Sequence, residues 1–225
     1  FTLAALLGGL LVYDSFTYHS LSIQEPIHPS INESVRGGPE NRPILLNKEA
    51  ETGAPRKERL VIVGGGWGAV SLLNRLDPDL YEVTLISPTN YFLFTPLLPA
   101  VTVGTVGAGS VTESLRRILQ KCQGQFVQGA GRNLYLRDDL DNKTRELTDY
   151  AAGLLEVEVI SDKWDGSIEK PHEVNKDKTV YVPYDKLVVA VGCVSNDFGA
   201  KGLEHAHRLK CMNDATQLRL SLIHI

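Results

Sequence analysis

The spacing of apolar and polar residues predicts a β-α-β unit that begins near Leu60. "LVIV", Leu60–Val63, is a short, continuously apolar run rich in β-branched residues, which is typical of a buried parallel strand. "WGAVSLLNRL" predicts a helix that follows at once. Pro78 ends it, because proline disfavours helical geometry at the residue before it. "YEVTLIS" predicts the second strand, and we expect a right-handed crossover between two parallel strands.

The rest of the chain predicts one more helix and several short strands. Ser110 and Glu113 form an S-x-x-E pattern, which predicts a capping box at the start of a helix. The hydrophilic stretch Ser161–Asp177 is predicted to be a surface loop. Further strands are predicted at Gln125–Ala130, Leu154–Ile160 and Lys178–Pro183, with another central strand in "KLVVAVG", Lys186–Gly192.

The N-terminal residues predict a segment outside the compact fold. Phe1–Val12 is apolar, small or Thr throughout, and Tyr13 stands where an interfacial aromatic is expected. In helical form this run covers about 18 Å of a roughly 30 Å hydrocarbon core, so we interpret it as the end of a membrane anchor. A signal-peptide core and a buried helix are the alternatives. Asp14–Arg59, which contains five prolines, is predicted to be a linker or a disordered extension.

Both ends of the sequence have the character of cut ends. The first residue is Phe1 rather than Met, so we expect a targeting sequence before it. "LSLIHI", Leu220–Ile225, matches the translation of a common transposon-derived sequencing adapter, and we interpret it as an artefact. A genuine apolar helix end is the alternative.

Composition and charge exclude several classes of function. With 43% hydrophobic and 22% charged residues, the chain is typical of a globular protein. A net charge of -4 gives no basic field, so we expect no nucleic-acid partner. The three cysteines are far apart and form no CxxC pair, which indicates neither a disulfide framework nor a metal site.

The strongest chemical signal is "VGGGWGA", Val63–Ala69, at the point where the first predicted strand meets the helix. The pyrophosphate of a dinucleotide needs free backbone N–H groups and a close approach that Gly64 and Gly66 permit. Gly68 adds room, and Ala69 supplies the small residue that lets helix and strand pack closely. A glycine triplet alone is weak evidence, but this strand-turn-helix setting predicts nucleotide binding over a purely structural turn.

The end of the second predicted strand departs from the usual dinucleotide fingerprint. An acidic residue normally holds the adenosine ribose there, whereas this chain has Ser87. Glu82 stands near the wrong end of that strand. Recognition of adenosine is therefore expected to use Ser87, Asn90 or backbone groups.

At "GGGWGAVSLL" followed by "SPTNYFLFTPLLPAVTVGTV", the chain resembles the type II NADH dehydrogenases, which are single-polypeptide, rotenone-insensitive NADH:ubiquinone oxidoreductases. The resemblance continues through Tyr184–Lys210 and covers nearly all of Leu60–Arg219. "RGGPENRPI", before the fold, is most similar to externally facing fungal members. After "VGTV" the chain departs from the family, because Gly107–Gly109 replaces an acidic and a basic residue.

The resemblance implies an α/β, Rossmann-like FAD-binding domain of a flavoprotein with two dinucleotide-binding folds. FAD would occupy the first fold and NADH a second fold inserted later, so Leu60–Arg219 is expected to be the N-terminal part of the FAD-binding domain, truncated before the NAD(P)H domain. Carried over by position, the cofactor-binding residues are Gly64, Gly65, Gly66, Trp67, Gly68 and Ala69 at the pyrophosphate, Ser87 and Asn90 at the ribose, Thr95, Pro96, Leu97 and Leu98 towards the flavin, and Ala190 and Gly192 returning against the FAD.

The resemblance also implies the reaction and its setting. NADH would give a hydride to the flavin, which would reduce ubiquinone without proton pumping. The expected location is the mitochondrial inner membrane on its intermembrane-space side, and the oligomeric state stays open, with a homodimer as one form. No acid-base residue is assigned. The alternatives are a sulfide:quinone oxidoreductase, an apoptosis-inducing-factor-like NADH oxidase, and a non-catalytic nucleotide-binding module.

Overall fold

The computed structural model describes residues 38–39, 42–45, 57–160, 179–196 and 198–223. The predicted anchor Phe1–Tyr13 and the predicted surface loop Ser161–Asp177 lie outside the described residues. No helix within the described ranges has both the length and the apolar character needed to cross a membrane.

Eight strands and five α-helices make up the described part of the chain. Short 3-10 turns occur at Thr95–Leu97, Ala108–Val111, Arg137–Asp139 and Leu203–His205. In chain order the elements are β1 (Glu58–Val63), α1 (Trp67–Leu73), β2 (Tyr81–Ser87), β3 (Tyr91–Leu93), α2 (Leu98–Thr102), β4 (Thr112–Ser114), α3 (Leu115–Gln120), β5 (Gln125–Leu136), α4 (Asn142–Leu147), β6 (Gly153–Val159), β7 (Thr179–Tyr184), β8 (Lys186–Val189) and α5 (Met212–Ile223).

Six of these strands form one sheet in the order β7-β6-β5-β2-β1-β8. β1 pairs in parallel with β2 and β8, and β2 pairs in parallel with the first part of β5. From Gly129 onwards β5 pairs antiparallel with β6, which pairs antiparallel with β7. The long strand β5 therefore joins a parallel sheet to a three-stranded meander. The predicted β-α-β unit is confirmed.

The two faces of the parallel sheet carry separate apolar cores, because successive side chains of a strand point to opposite faces. On β1, Leu60 and Ile62 pack against the helices, whereas Val61 faces the meander. The helix-side core also contains Ala69 and Leu73 of α1 and the buried residues of α3. The meander-side core is formed by Leu45, Val61, Ile86, Val127, Leu155, Val157, Val180, Val182 and Tyr184.

The predicted capping box at Ser110 is wrong. Ser110 lies in a 3-10 turn, and Glu113 belongs to β4, where it pairs with Phe92 of β3. Helix α3 begins only at Leu115, whose N–H donates to the Asn90 carbonyl at 3.0 Å. Strand pairing between β3 and β4 competes with the local capping pattern and wins.

The other predicted elements differ mainly in their bounds. Helix α1 ends at Leu73, so it is shorter than the segment read from the sequence. β5 runs beyond its predicted end to Leu136, where it becomes part of the meander. β8 ends at Val189 and lies at the edge of the described sheet, paired with β1 alone, so its prediction as a central strand is wrong for the described residues.

The linker prediction is wrong for Arg42–Leu45. Ile44 is 2% exposed and Leu45 is 5% exposed, and each belongs to an apolar core of the meander. Ile44 forms a parallel bridge with Tyr181 of β7. The folded part therefore includes residues that precede β1, which itself begins at Glu58 rather than Leu60.

A partly buried ion pair ties the start of β1 to the turn between β7 and β8. Arg59 is 7% exposed, and its Nε and Nη2 donate to the two carboxylate oxygens of Asp185, each at 3.2 Å. Nη1 donates to the Thr148 carbonyl just after α4 at 2.8 Å. The guanidinium thus joins three parts of the chain that are distant in sequence.

We expect Asp185→Ala to destabilise the fold by about 3 kcal/mol, because the buried charge of Arg59 would lose its carboxylate and keep only the neutral Thr148 carbonyl. Urea unfolding of this chain, followed by circular dichroism, measures the loss. Glu58→Ala is the matched control, since it breaks the neighbouring but exposed Glu58–Lys186 pair and should hardly move the midpoint. Equal shifts in both variants would contradict the role given to Arg59.

Candidate dinucleotide-binding site

Gly64 directly follows the last residue of β1, and the backbone conformation and packing at this position require glycine. Its φ is +108°, a conformation that side chains rarely adopt. Its N–H donates to the Ile86 carbonyl at 2.7 Å. A Cβ at this position would lie 2.3 Å from the carbonyl oxygen of Ala190. Glycine at 64 therefore lets the chain after β8 pass directly over the turn.

Gly65 is enclosed from the other side. A Cβ here would lie 2.5 Å from Cδ1 of Leu115 and 2.9 Å from Oγ of Ser87. The start of α3 and the end of β2 therefore pack on the turn and hold it in place.

Gly66 differs from both, because a Cβ built on it meets no atom within 4 Å. Its φ of -88° is ordinary for any residue. Nothing in the protein's own packing calls for glycine here, so the free space lies in front of the turn. The N–H groups of the first turn of α1, beginning at Trp67, have no acceptors within the helix and border this space.

Gly68 and Ala69, in the first turn of α1, differ in how closely they are packed, since Gly68 is exposed. A Cβ on Gly68 would lie 3.7 Å from the Cβ of Ala190, which is ordinary contact. Ala69 is fully buried in the helix-side core. Ala69 thus has the packing role predicted for the third small position of the fingerprint.

Ser87 and Asn90 were both predicted near a ribose, but the structure places them differently. Ser87 is 1% exposed, and its Oγ lies 3.3 Å from Thr89 Oγ1. Thr89 Oγ1 donates its one proton to the Tyr91 carbonyl, so the Ser87 hydroxyl is the donor to Thr89 Oγ1. The Ser87 hydroxyl is therefore engaged beneath Gly65, whereas the Asn90 side chain is exposed.

An aromatic cluster borders the start of α1. Trp67 is 50% exposed, and its ring lies 5.0 Å from that of Phe92 and 5.2 Å from that of Phe94. Its Nε1–H donates to Thr95 Oγ1 at 3.4 Å. The sequence reasoning missed both phenylalanines, although their alternation in "YFLF" places them on one face of an extended segment.

The four residues predicted to approach the flavin divide into two groups. Thr95, Pro96 and Leu97 form the 3-10 turn beside Trp67, and Leu97 is 40% exposed. Leu98 is 1% exposed and packs in a small core between α2 and α5. The structure therefore does not bring the Leu98 side chain to the site.

The two predicted residues after β8 also differ. The Ala190 N–H donates to the Val63 carbonyl at 2.7 Å, so Ala190 is part of the turn region. Gly192 has a φ of +74° and lies beyond the end of the strand, exposed and with no atom near its missing Cβ. Ala190 contacts the turn, whereas Gly192 is exposed beyond the end of β8.

Tyr91, at the start of β3, is an ionisable residue near the turn whose pKa is shifted. Burial, and to a smaller extent Cys211, raises the pKa of the Tyr91 phenol, so this side chain is neutral near pH 7. Among the described residues, no group of three His, Cys, Asp or Glu side chains could hold a metal ion. The side chains described around the start of α1 contribute a hydroxyl, that of Thr95, and the aromatic rings of Trp67, Phe92 and Phe94.

Comparison with known proteins places this geometry in a family. The family model described as pyridine nucleotide-disulphide oxidoreductase matches residues 58–224. The external alternative NAD(P)H-ubiquinone oxidoreductase B1 of Solanum tuberosum mitochondria is 38% identical over 175 residues, or 75% of this chain and 26% of that protein. The external alternative NADH-ubiquinone oxidoreductase of Yarrowia lipolytica mitochondria is 38% identical over 173 residues, with the same shares. These relatives confirm the resemblance to type II NADH dehydrogenases.

Solved structures give the same result. NDH2 from Plasmodium falciparum, in complex with NADH, matches with a TM-score of 0.53 and 30% identity, over 76% of this chain and 31% of that one. The sulfide:quinone oxidoreductase from Aquifex aeolicus shares the fold, with a TM-score of 0.50 and 24% identity, over 74% of this chain and 32% of that one. The chain spans about a quarter of the length of the curated relatives it matches. Since the family model covers most of its residues, the chain belongs to the pyridine nucleotide-disulphide oxidoreductase family.

Proposed function

We propose that this chain is part of the FAD-binding domain of a mitochondrial NADH:ubiquinone oxidoreductase that does not pump protons. The observation that carries the proposal is the free space at Gly66, within a turn whose neighbours Gly64 and Gly65 are tightly enclosed. If the turn had only a structural role, residues other than glycine would fit at position 66. The names of the mitochondrial relatives support the reaction.

The residues of the turn fit the pyrophosphate of a dinucleotide. The N–H groups of Gly66, Trp67 and Gly68 would bind its oxygens. The exposed Asn90 would lie by the adenosine ribose, with Ser87 holding the turn from below. Towards the flavin we assign Thr95, Pro96 and Leu97, with Ala190 and Gly192 on the opposite side.

When bound, FAD supplies the redox chemistry by taking a hydride from NADH and passing electrons to ubiquinone. The chain's own residues bind and orient the cofactor. Trp67, Phe92 and Phe94 give an apolar wall that keeps water from one side of the site. No side chain of this region is assigned a proton-transfer role.

The cysteines favour this reaction over sulfide oxidation, which needs placed, redox-active cysteines. Cys122 is 3% exposed, and its thiol donates to the Leu73 carbonyl at 3.2 Å. Burial raises the pKa of this thiol, against a smaller opposite effect of Lys121. A buried, protonated thiol is a poor nucleophile, and Cys193, which is exposed, and Cys211, which is half-buried, are both free cysteines that form no disulfide.

The proposed location is the inner membrane on its intermembrane-space side. The relatives named above are external mitochondrial enzymes. Phe1–Tyr13 would be the end of an anchor, and a homodimer and the absence of a nucleic-acid partner stay predictions.

We expect Gly66→Val, in the full-length protein, to lose bound FAD but keep its fold, because the added carbons occupy only the space in front of the turn. The matched variant Gly64→Ala should lose stability by about 1–2 kcal/mol or more, because a side chain is strained at its φ and meets Ala190. Bound flavin per protein and the thermal midpoint separate the two effects. Full flavin occupancy in Gly66→Val would contradict the site.

The 225-residue chain is expected not to oxidise NADH, whereas the full-length protein does so with a short-chain quinone. These 225 residues contain no second G-x-G-x-x-G that follows a strand, so we do not expect them to place a nicotinamide against the flavin. Steady-state loss of NADH absorbance, with added FAD, measures both. Comparable turnover by the short chain would refute the domain assignment, and inactivity of both would favour a non-catalytic nucleotide-binding module.

If Phe1–Tyr13 completes a membrane span, the full-length protein should remain with inner-membrane vesicles after an alkaline carbonate wash. Deleting the residues before Gly38 should then release it or leave only a loose attachment, while the described fold stays intact. An unchanged carbonate-resistant pellet would show that the N-terminal run is not the anchor.

A further inference from the structure

A short segment ahead of β1 adds to the outer edge of the meander. We call its described residues, Gly38, Pro39 and Arg42–Leu45, the strap. The Tyr181 N–H donates to the Pro43 carbonyl at 2.9 Å, and the Leu45 N–H donates to the Tyr181 carbonyl at 2.8 Å. These two bonds are those of a parallel β-bridge between Ile44 and Tyr181. The strap thus pairs with β7, which is otherwise the outermost strand of the six-stranded sheet.

The strap buries side chains on both faces of the meander. Ile44 packs with Leu140, Leu154 and Tyr181 on the outer face, and Leu45 joins the core on the inner face. Neighbouring residues reach opposite faces because the strap is extended like a strand. An unstructured linker lying against the surface would not insert consecutive side chains into two separate cores.

Two further contacts make the fit specific. A Cβ on Gly38 would lie 2.7 Å from Cδ2 of Tyr181, so glycine lets the strap lie against that ring. The Arg42 guanidinium donates to Oε1 of Glu156 at 3.2 Å, with the two side chains 17% and 11% exposed.

The Glu156 carboxylate is held ready for this contact by the meander itself. Its Oε2 accepts from Nδ2 of Asn133 at 2.6 Å and from the Tyr135 hydroxyl at 3.4 Å. Its other oxygen is therefore presented to the strap in a fixed position. The buried carboxylate provides a charge that an arginine, and not an apolar residue, can satisfy.

We propose that the outer edge of β7 is a strand-addition site whose occupant is the chain's own strap. The residues before Gly38 are thereby attached to the domain at β7 and not at the start of β1. The strap also covers N–H and C=O groups of β7 that would otherwise be available to a second copy of the chain.

Hydrogen exchange on the full chain tests whether the strap is bound. We expect Arg42→Glu to accelerate exchange of the Leu45 and Tyr181 amides about tenfold or more, because it places two carboxylates together, while the amides of β1 stay protected. The double variant Arg42→Glu with Glu156→Arg should recover part of the protection. Lys186→Glu, at the exposed pair near β1, is the control and should leave both amides unchanged.

Cleavage of the intact chain tests the occupant. A protease site is inserted between Leu45 and Lys57, and the folded protein is cut and passed over a sizing column. The N-terminal piece should stay bound after the cut and should dissociate when Ile44→Asp is present. Dissociation of the N-terminal piece after the cut in the protein without Ile44→Asp, while the β1 amides remain protected, would overturn the proposal. Equal retention with Ile44→Asp, or a dimer in place of the bound piece, would overturn it as well.

Discussion

The meeting of three backbones at Gly64 is the constraint on which the candidate site depends. β1 lies between β2 and β8, and at its end the Gly64 N–H reaches Ile86 while the Val63 carbonyl accepts from Ala190. The Ala190 carbonyl occupies the place of a side chain at 64. Because neighbouring strands fix the turn from both sides, α1 starts in one direction only. The free space at Gly66 is therefore a consequence of how tightly the residues before it are held.

The β-α-β unit could be predicted from the sequence because the apolar runs and the position of the glycine turn indicate the same elements. The strands are buried on both faces and therefore read as apolar runs, and the glycine turn falls between strand and helix. The capping-box prediction failed where local and distant interactions disagree. Val111, beside Ser110, is 2% exposed in the small core with Leu98, and the next residues pair with β3. A four-residue pattern carries no information about such a partner.

The same limit applies to the site. Backbone positions such as Gly64 and Ala190 could be assigned from the sequence, because the fold alone decides where they lie. Side-chain direction could not, since it depends on packing. Ser87 turns under Gly65 and Leu98 turns into the core between α2 and α5, whereas Phe92 reaches Trp67. The described site is consequently more aromatic and less polar than its sequence-based version.

The two edges of the six-stranded sheet differ in whether another described segment covers them. The β7 edge is covered by the strap. The β8 edge pairs with β1 alone within the described residues, and Val189 at its end and Val191 just after it are 66% and 67% exposed. Exposed apolar edge strands favour pairing with another strand. Association of this chain in isolation should therefore start at β8, on the side of the sheet that also carries Ala190. The edge that tends to self-associate is thus next to the glycine turn, Gly64–Gly66, and the edge that holds the strap is at the far side of the sheet.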